Sequence, residues 1–211
     1  GRVFLTGVQA LARLPIEQMR IDKRNGLKTA AFVSGYPGSP LGGFDMELEK
    51  ALRVATDVDV VLQPAVNEEL GATAVMGSQL ATEQPDATYE GVLGIWYGKG
   101  PGIDRAGDAL RHANFTGTSS KGGAIALVGD DPAAKSSTIP SSSDATIYDL
   151  HMPLFYPGDV QEVVDLGRHA VALSRMTGLW TSMKIGSPVA DGSGTVDLGL
   201  DRVEIVTPDL S

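Results

Sequence analysis

Asn67, Glu68 and Glu69 open the segment NEELGATAVMGSQ, whose residue types and spacing suit proton chemistry. Asn67 is a good helix N-cap, and the two glutamates then fall in the first turn, where the helix dipole favours carboxylates. At helical spacing Glu68 shares a face with Gly71, Ala72, Val75 and Gln79, and Ala74, Gly77 and Ser78 follow along the helix. So small a surface lets another backbone or a flat ring come close. It predicts tight helix packing across an interface, with an acid buried at its mouth. A buried carboxyl is costly without a partner, and desolvation favours its protonated form, which is what a proton-exchanging group needs. Two ordinary first-turn charges would fit the same pattern.

Other loops carry Gly, Pro and polar residues in chemically suggestive order: GYPGSP at 35–40, YGKGPG at 97–102 and GDDPAAKSS at 129–137. None matches a nucleotide-binding template. In GIWYGKG one residue is missing between the glycines of a P-loop, and no Ser or Thr follows Lys99 to hold Mg²⁺. Gly98, Gly100 and Gly102 misplace the third glycine of a dinucleotide fingerprint. The chain has no Cys, so disulfides, thiolate nucleophiles and Cys-ligated clusters are excluded from these residues. His112, His151 and His169 form no ligand pair at helical spacing.

The elements that must position these loops alternate between strand and helix. Strands are expected near 27–34, 58–63, 92–97, 123–128 and 178–185, and helices near 8–24, 41–55, 67–84, 103–114 and 159–176, with a kink or restart at Pro15. The strands are nearly continuous apolar runs, as in strands buried on both faces. This predicts a three-layer α/β domain with a mostly parallel central sheet and helices on both faces, over residues 1–186. Its loops would converge at the carboxyl ends of the strands, where such sheets bind ligands. Residues 187–211 read as a loop and an exposed hairpin, alternating from Thr195 to Val206, that leads toward a further domain. Seventeen Lys plus Arg against 26 Asp plus Glu leave a net charge of −9, which argues against nucleic acid as a partner. No apolar run approaches the ~18–20 residues of a membrane span, so no membrane partner is expected. Acidity and the lack of Cys are compatible with the cytoplasm.

Four blocks in order, GYPGSP, VNEELGATAVMG, GDDPAAKSS and YPGDVQEVVDLGRHAVALS, give the chain a specific likeness. It resembles the pyrimidine-binding domain of the thiamine-diphosphate 2-oxoacid:ferredoxin oxidoreductases, and within that family the indolepyruvate branch. The likeness runs over nearly the whole chain, through GLWTSMKI and VADGSGTVDL. It implies that Glu68, with Glu69 as the fallback, is the acid that bonds the aminopyrimidine ring. That bond lets the ring's own nitrogen remove the proton from the thiazolium carbon that attacks a 2-oxoacid. The resemblance also implies that Tyr36, Pro37, Gly38, Ser39 and Pro40 lie near the thiazolium and substrate. Tyr36 and Ser39 are the polar contacts there, and Ser39 stands where relatives often carry Thr. Asn67 and the Gly98, Lys99 and Gly100 loop would flank the pyrimidine, Lys99 meeting a carboxylate or simply solvated. Ser136 and Ser137 would reach the substrate.

The family's complete enzyme further has a diphosphate-binding domain with Mg²⁺, a coenzyme A-linked acyl transfer, iron–sulfur clusters and ferredoxin as acceptor. Here Gly129-Asp130-Asp131 lacks the second glycine of the expected GDG, and no Asn follows Asn114. The resemblance therefore implies half of an active site, inactive alone, in oxidative decarboxylation of indolepyruvate or another arylpyruvate. Other 2-oxoacids, or a binding module that keeps the fold without the chemistry, are the alternatives. The small-residue helix suggests pairing with a second copy or with the downstream domain.

Overall fold

The structure, a computed structural model, describes residues 1–134 and 140–208. The chain opens with β1 (Arg2–Thr6) and α1 (Gly7–Arg24) and continues through β2 (Thr29–Gly35), α2 (Phe44–Leu52), β3 (Val60–Leu62) and α3 (Glu68–Leu80). Next come β4 (Gly91–Lys99), α4 (Gly100–Arg105), α5 (Gly107–Thr116), β5 (Ala124–Asp130) and α6 (Asp144–Asp149). The rest is β6 (Leu154–Phe155), α7 (Val160–Thr177), β7 (Thr181–Gly186), α8 (Ser187–Ala190) and β8 (Ser193–Asp197). Among the described residues six strands form a parallel sheet in the order β3-β2-β4-β5-β7-β6.

Alternation along each strand splits the core into two layers. Val33, Ile95, Tyr97, Leu127 and Ile185 pack on one side against α1, α2 and α7. Trp96, Ala124, Ala126 and Val128 pack on the other against Ala72 and Val75 of α3, Leu110 of α5 and Ile147 of α6. Because both faces are covered, β5 is buried at every residue, which is why its sequence reads as an unbroken apolar run. The three-layer α/β architecture is as the sequence predicts.

From β2 the chain crosses by α2 to β3 on one side, then returns by α3 over the opposite layer to β4 on the other. The strand order reverses between β2 and β4. The loops leaving these two strands therefore splay apart at their carboxyl ends and open a crevice, the usual place for a ligand in an open α/β sheet.

Several expectations need correction. Helix α1 continues through the buried Pro15 and does not restart there; a Thr6–Gln9 capping box sets its start. The single helix expected at 103–114 is two, α4 and α5, joined at Ala106. Residues 195–206 do not fold back on themselves: β8 pairs antiparallel with β1, Val3 opposite Val196. Val196 and Leu198 are buried in the core. The small face of α3 does not await another helix. Gly71, Ala72, Val75 and Gln79 are buried, and glycines let them seat directly on this chain's own sheet. A Cβ on Gly71 would lie 2.8 Å from Cα of Gly35, and one on Gly94 would lie 2.7 Å from Val75 Cγ1.

Candidate active site

Asn67 accepts a hydrogen bond from the Leu70 amide at 2.9 Å and so starts α3 one residue before Glu68. That choice of start points Glu68 inward, 8% exposed, and leaves Glu69 exposed. The backbone is fixed from below, where the indole Nε1 of fully buried Trp96 donates to the Glu68 carbonyl at 2.9 Å. The side chain occupies the space that Gly102 leaves: a Cβ there would meet Glu68 Cγ at 2.8 Å and Oε1 at 2.9 Å. Arg105, on the outer turn of α4 and more than half exposed, brings Nε to 3.9 Å from Glu68 Oε2. The carboxyl thus lies at the N-terminal end of α3, where the unpaired amides of the first turn add favourable potential for a negative charge.

The loop after β2 lies beside this acid. Tyr36 remains tied to the sheet, its amide donating to the Tyr97 carbonyl at 3.0 Å, while its ring is exposed. A Cβ on Gly35 would collide with that same carbonyl, so glycine is required for the two strand ends to come this close. Gly38 lies against the aliphatic part of Lys99, with only 2.7 Å between a hypothetical Cβ and Lys99 Cδ. Ser39 Oγ donates to Asp131 Oδ2 at 2.9 Å, and Ser187 Oγ donates to the other oxygen of Asp131 at 3.3 Å. Pro40 and Leu41 close over Gly129. Below the loop, burial and then the nearby Asp45 carboxylate push the Tyr97 phenol above its ordinary range.

The fold thus gathers Tyr36–Pro40, Asn67, Glu68 and Gly98–Gly100 at the ends of β2, β4 and β5. Ser136 and Ser137 lie outside the described residues. Sequence reading missed Trp96, Gly102, Arg105 and Asp131. The signals for two of these were present: Gly102 is the last glycine of YGKGPG, and Asp131 doubles the acid at the end of a buried strand. The contacts of Trp96 and Arg105 with Glu68 had no local signal.

Curated relatives match this chain along nearly all its length. It is 27% identical over 199 residues to indolepyruvate oxidoreductase subunit IorA of Methanothermobacter thermautotrophicus, covering 94% of this chain and 28% of the relative. The like-named subunits of Methanothermobacter marburgensis and Pyrococcus abyssi are 25% and 23% identical, covering 97% and 94% of this chain and 29% and 27% of those relatives. The resemblance is to the indolepyruvate oxidoreductase subunits. This is the branch that the four sequence blocks pointed to, and the chain spans less than a third of the length of these relatives. Among solved structures, a 2-oxoglutarate:ferredoxin oxidoreductase from Magnetococcus marinus superposes with a TM-score of 0.66 at 15% identity, over 92% of this chain and 30% of that one. That likeness bears out the α/β fold. No protein-family model matches the chain. Among the described residues no helix is long and apolar enough to cross a membrane.

Proposed function

We propose that this chain is the pyrimidine-binding half of the active site of an indolepyruvate-type 2-oxoacid:ferredoxin oxidoreductase, an enzyme that decarboxylates an arylpyruvate oxidatively to an acyl-CoA. The pyrimidine-binding fold is assigned to residues 1–186 together with β8, which pairs with β1, and the chain beyond β8 is assigned as leading toward a diphosphate-binding domain. The carrying observation is Glu68, a carboxyl held out of water at the point where the strand order reverses, in a space kept open by Gly102.

The residues of this chain fit the ring end of thiamine diphosphate. A glycine cradle against a buried acid admits a flat heterocycle, and a carboxyl there can share a proton with a ring nitrogen. When bound, the cofactor would supply the electron sink for decarboxylation. Glu68 presents its carboxyl to the ring nitrogen, Trp96 fixes its backbone, and Asn67 fixes the helix start. Tyr36 and Ser39 form the neighbouring wall, Ser39 oriented by Asp131, and the Gly98–Lys99–Gly100 turn borders the ring. Ser136 and Ser137 are assigned to the substrate side. Mg²⁺ and the diphosphate are assigned to the downstream domain, iron–sulfur clusters and ferredoxin to the rest of the electron path, and the cytoplasm to the whole enzyme. The exposed outer face of α3, with Leu70, Ala74 and Gly77, supports pairing with a second copy or that domain.

The test is Glu68→Ala in the full-length enzyme, reading exchange of the cofactor C2 proton by NMR. Exchange should fall by at least about 100-fold, the usual scale of lost acid–base assistance, while Glu69→Ala stays near wild type. Exchange retained in Glu68→Ala overturns the assignment.

A further inference from the structure

Arg168 stands in the middle of α7, and only 3% of it is exposed. Its Nη1 donates to the Gly199 carbonyl at 3.0 Å. The opposite edge of the guanidinium, Nε and Nη2, is buried with no hydrogen-bond partner. Two carboxylates act on it from beyond bonding distance, and both are engaged elsewhere: Asp165 binds Arg202, and Glu17 binds Arg13 and Arg20. Burial holds the guanidinium below its ordinary value, against the pull of Asp165 and Glu17. It still carries its charge at neutral pH. A buried charge with an unbonded edge is strongly unfavourable unless something completes it.

This arginine lines a cavity of about 630 Å³ between α1, α7 and the segment 200–208. That volume is in the range of sites for small organic molecules. Ile21, Leu27, Val171, Met176, Val203 and Ile205 give it an aliphatic wall. The other charges on the wall are matched, Arg175 by Asp22 and Arg24 by Asp201. Among the described residues that line the cavity, Arg168 alone is a charge without an ionic partner. Leu27 precedes β2 and Ser120 precedes β5, so the cavity sits at the amino ends of the strands, on the far edge from Glu68. Nε and Nη2 are closed to water, so a ligand reaches them by displacing part of the wall. Residues 203–208, one side of that wall, make no hydrogen bond among the described residues and can give way.

We propose that this cavity is a second binding site, for a carboxylate carried on an aliphatic body such as a medium-chain fatty acid. The two oxygens meet Nε–H and Nη2–H side by side, the geometry in which a guanidinium takes a carboxylate. The chain lies against the aliphatic wall. A monoanion matches the single unpaired cation. A phosphate dianion would bring a second charge into an apolar cavity that already holds Asp22. The site is separate from Glu68 and stands independently of the function proposed above.

The test is isothermal titration of the full-length enzyme with octanoate, 1-octanol and octyl phosphate. Octanoate should bind at least about tenfold more tightly than either of the others, the scale of a charge-assisted pair of hydrogen bonds. Arg168→Met should weaken octanoate at least about tenfold and leave 1-octanol within about twofold of wild type. Ala172→Phe puts a ring into the cavity and keeps Arg168, so it carries the test should Arg168→Met fail to fold. It should weaken octanoate and 1-octanol alike, by at least about tenfold. No binding of octanoate to wild type overturns the proposal, as does 1-octanol or octyl phosphate binding as tightly. Octanoate affinity unchanged in Arg168→Met or in Ala172→Phe overturns it too. Glu68→Ala should leave octanoate binding as in wild type, so failure of the active-site assignment is read separately, from C2 exchange.

Discussion

Glu68 occupies the space that a side chain on Gly102 would fill, with 2.8 Å from the missing Cβ to Glu68 Cγ. The first residue of α3 and the third of α4 are thereby one unit. Gly102→Ala should push the carboxyl out of its seat. In the full-length enzyme we expect C2 proton exchange to fall at least about tenfold, and the fold to lose about 1–3 kcal/mol, the usual cost of overpacking. Wild-type exchange in that variant would mean that the seat does not matter.

Two glycines on α3 should respond in opposite directions. Gly71 is pressed against Gly35, so Gly71→Ala should destabilise by about 1–3 kcal/mol in spite of alanine's better helix propensity. Gly77 has nothing within 4 Å of a hypothetical Cβ. Gly77→Ala should stabilise by about 0.5–1 kcal/mol through backbone entropy alone. Urea denaturation of both variants checks this, and the same sign for both would contradict the helix-on-sheet packing.

The buried pair of Asp22 and Arg175 joins α1 to α7. Arg175 donates twice, at 2.8 and 2.6 Å, to a carboxylate that also accepts from Thr29 and Gln18. Asp22→Ala would leave a guanidinium largely buried and unpaired, and should cost about 3–5 kcal/mol. The exposed Arg53–Glu49 pair should contribute no more than about 0.5 kcal/mol, so Glu49→Ala serves as the control.

Acid stability depends in part on Asp57. Hydrogen bonding from Arg20 holds its carboxyl down at about 2, against 3.8 for the unperturbed group. A depressed carboxyl contributes its stability fully above the unfolded value and loses it as pH falls through the folded one. Thermal unfolding midpoints should therefore separate between wild type and Asp57→Asn above about pH 5 and converge toward pH 2. The gap should be small, because the pair is solvent-exposed. A gap that widens toward low pH would reverse the sign of the coupling.

Much of the site was readable because it depends on local periodicity. The inward face of α3, Glu68 through Gln79, followed from helical spacing, since residues three and four apart must share a side. The apolar runs of β2, β4, β5 and β7 likewise announced a sheet covered on both faces. What lies against a face is a different matter. Small residues on α3 signal close approach, but spacing carries no information about the approaching surface, which proved to be the chain's own Gly35 and Gly94. For the same reason the alternation after Thr195 resembled a hairpin, when its partner β1 lies at the other end of the chain.

By itself the sequence determined which residues face inward, that the sheet is parallel, and that the glycine-rich loops gather at one edge. All of these follow from repeats of two or 3.6 residues along a single segment. Only the tertiary structure decided that Trp96 holds the Glu68 backbone, that Gly102 makes room for its carboxyl, and that Arg168 meets the Gly199 carbonyl rather than a carboxylate. Those contacts join residues far apart in the chain. They arise when strands and helices settle into register, a choice made by packing and charge across the whole core.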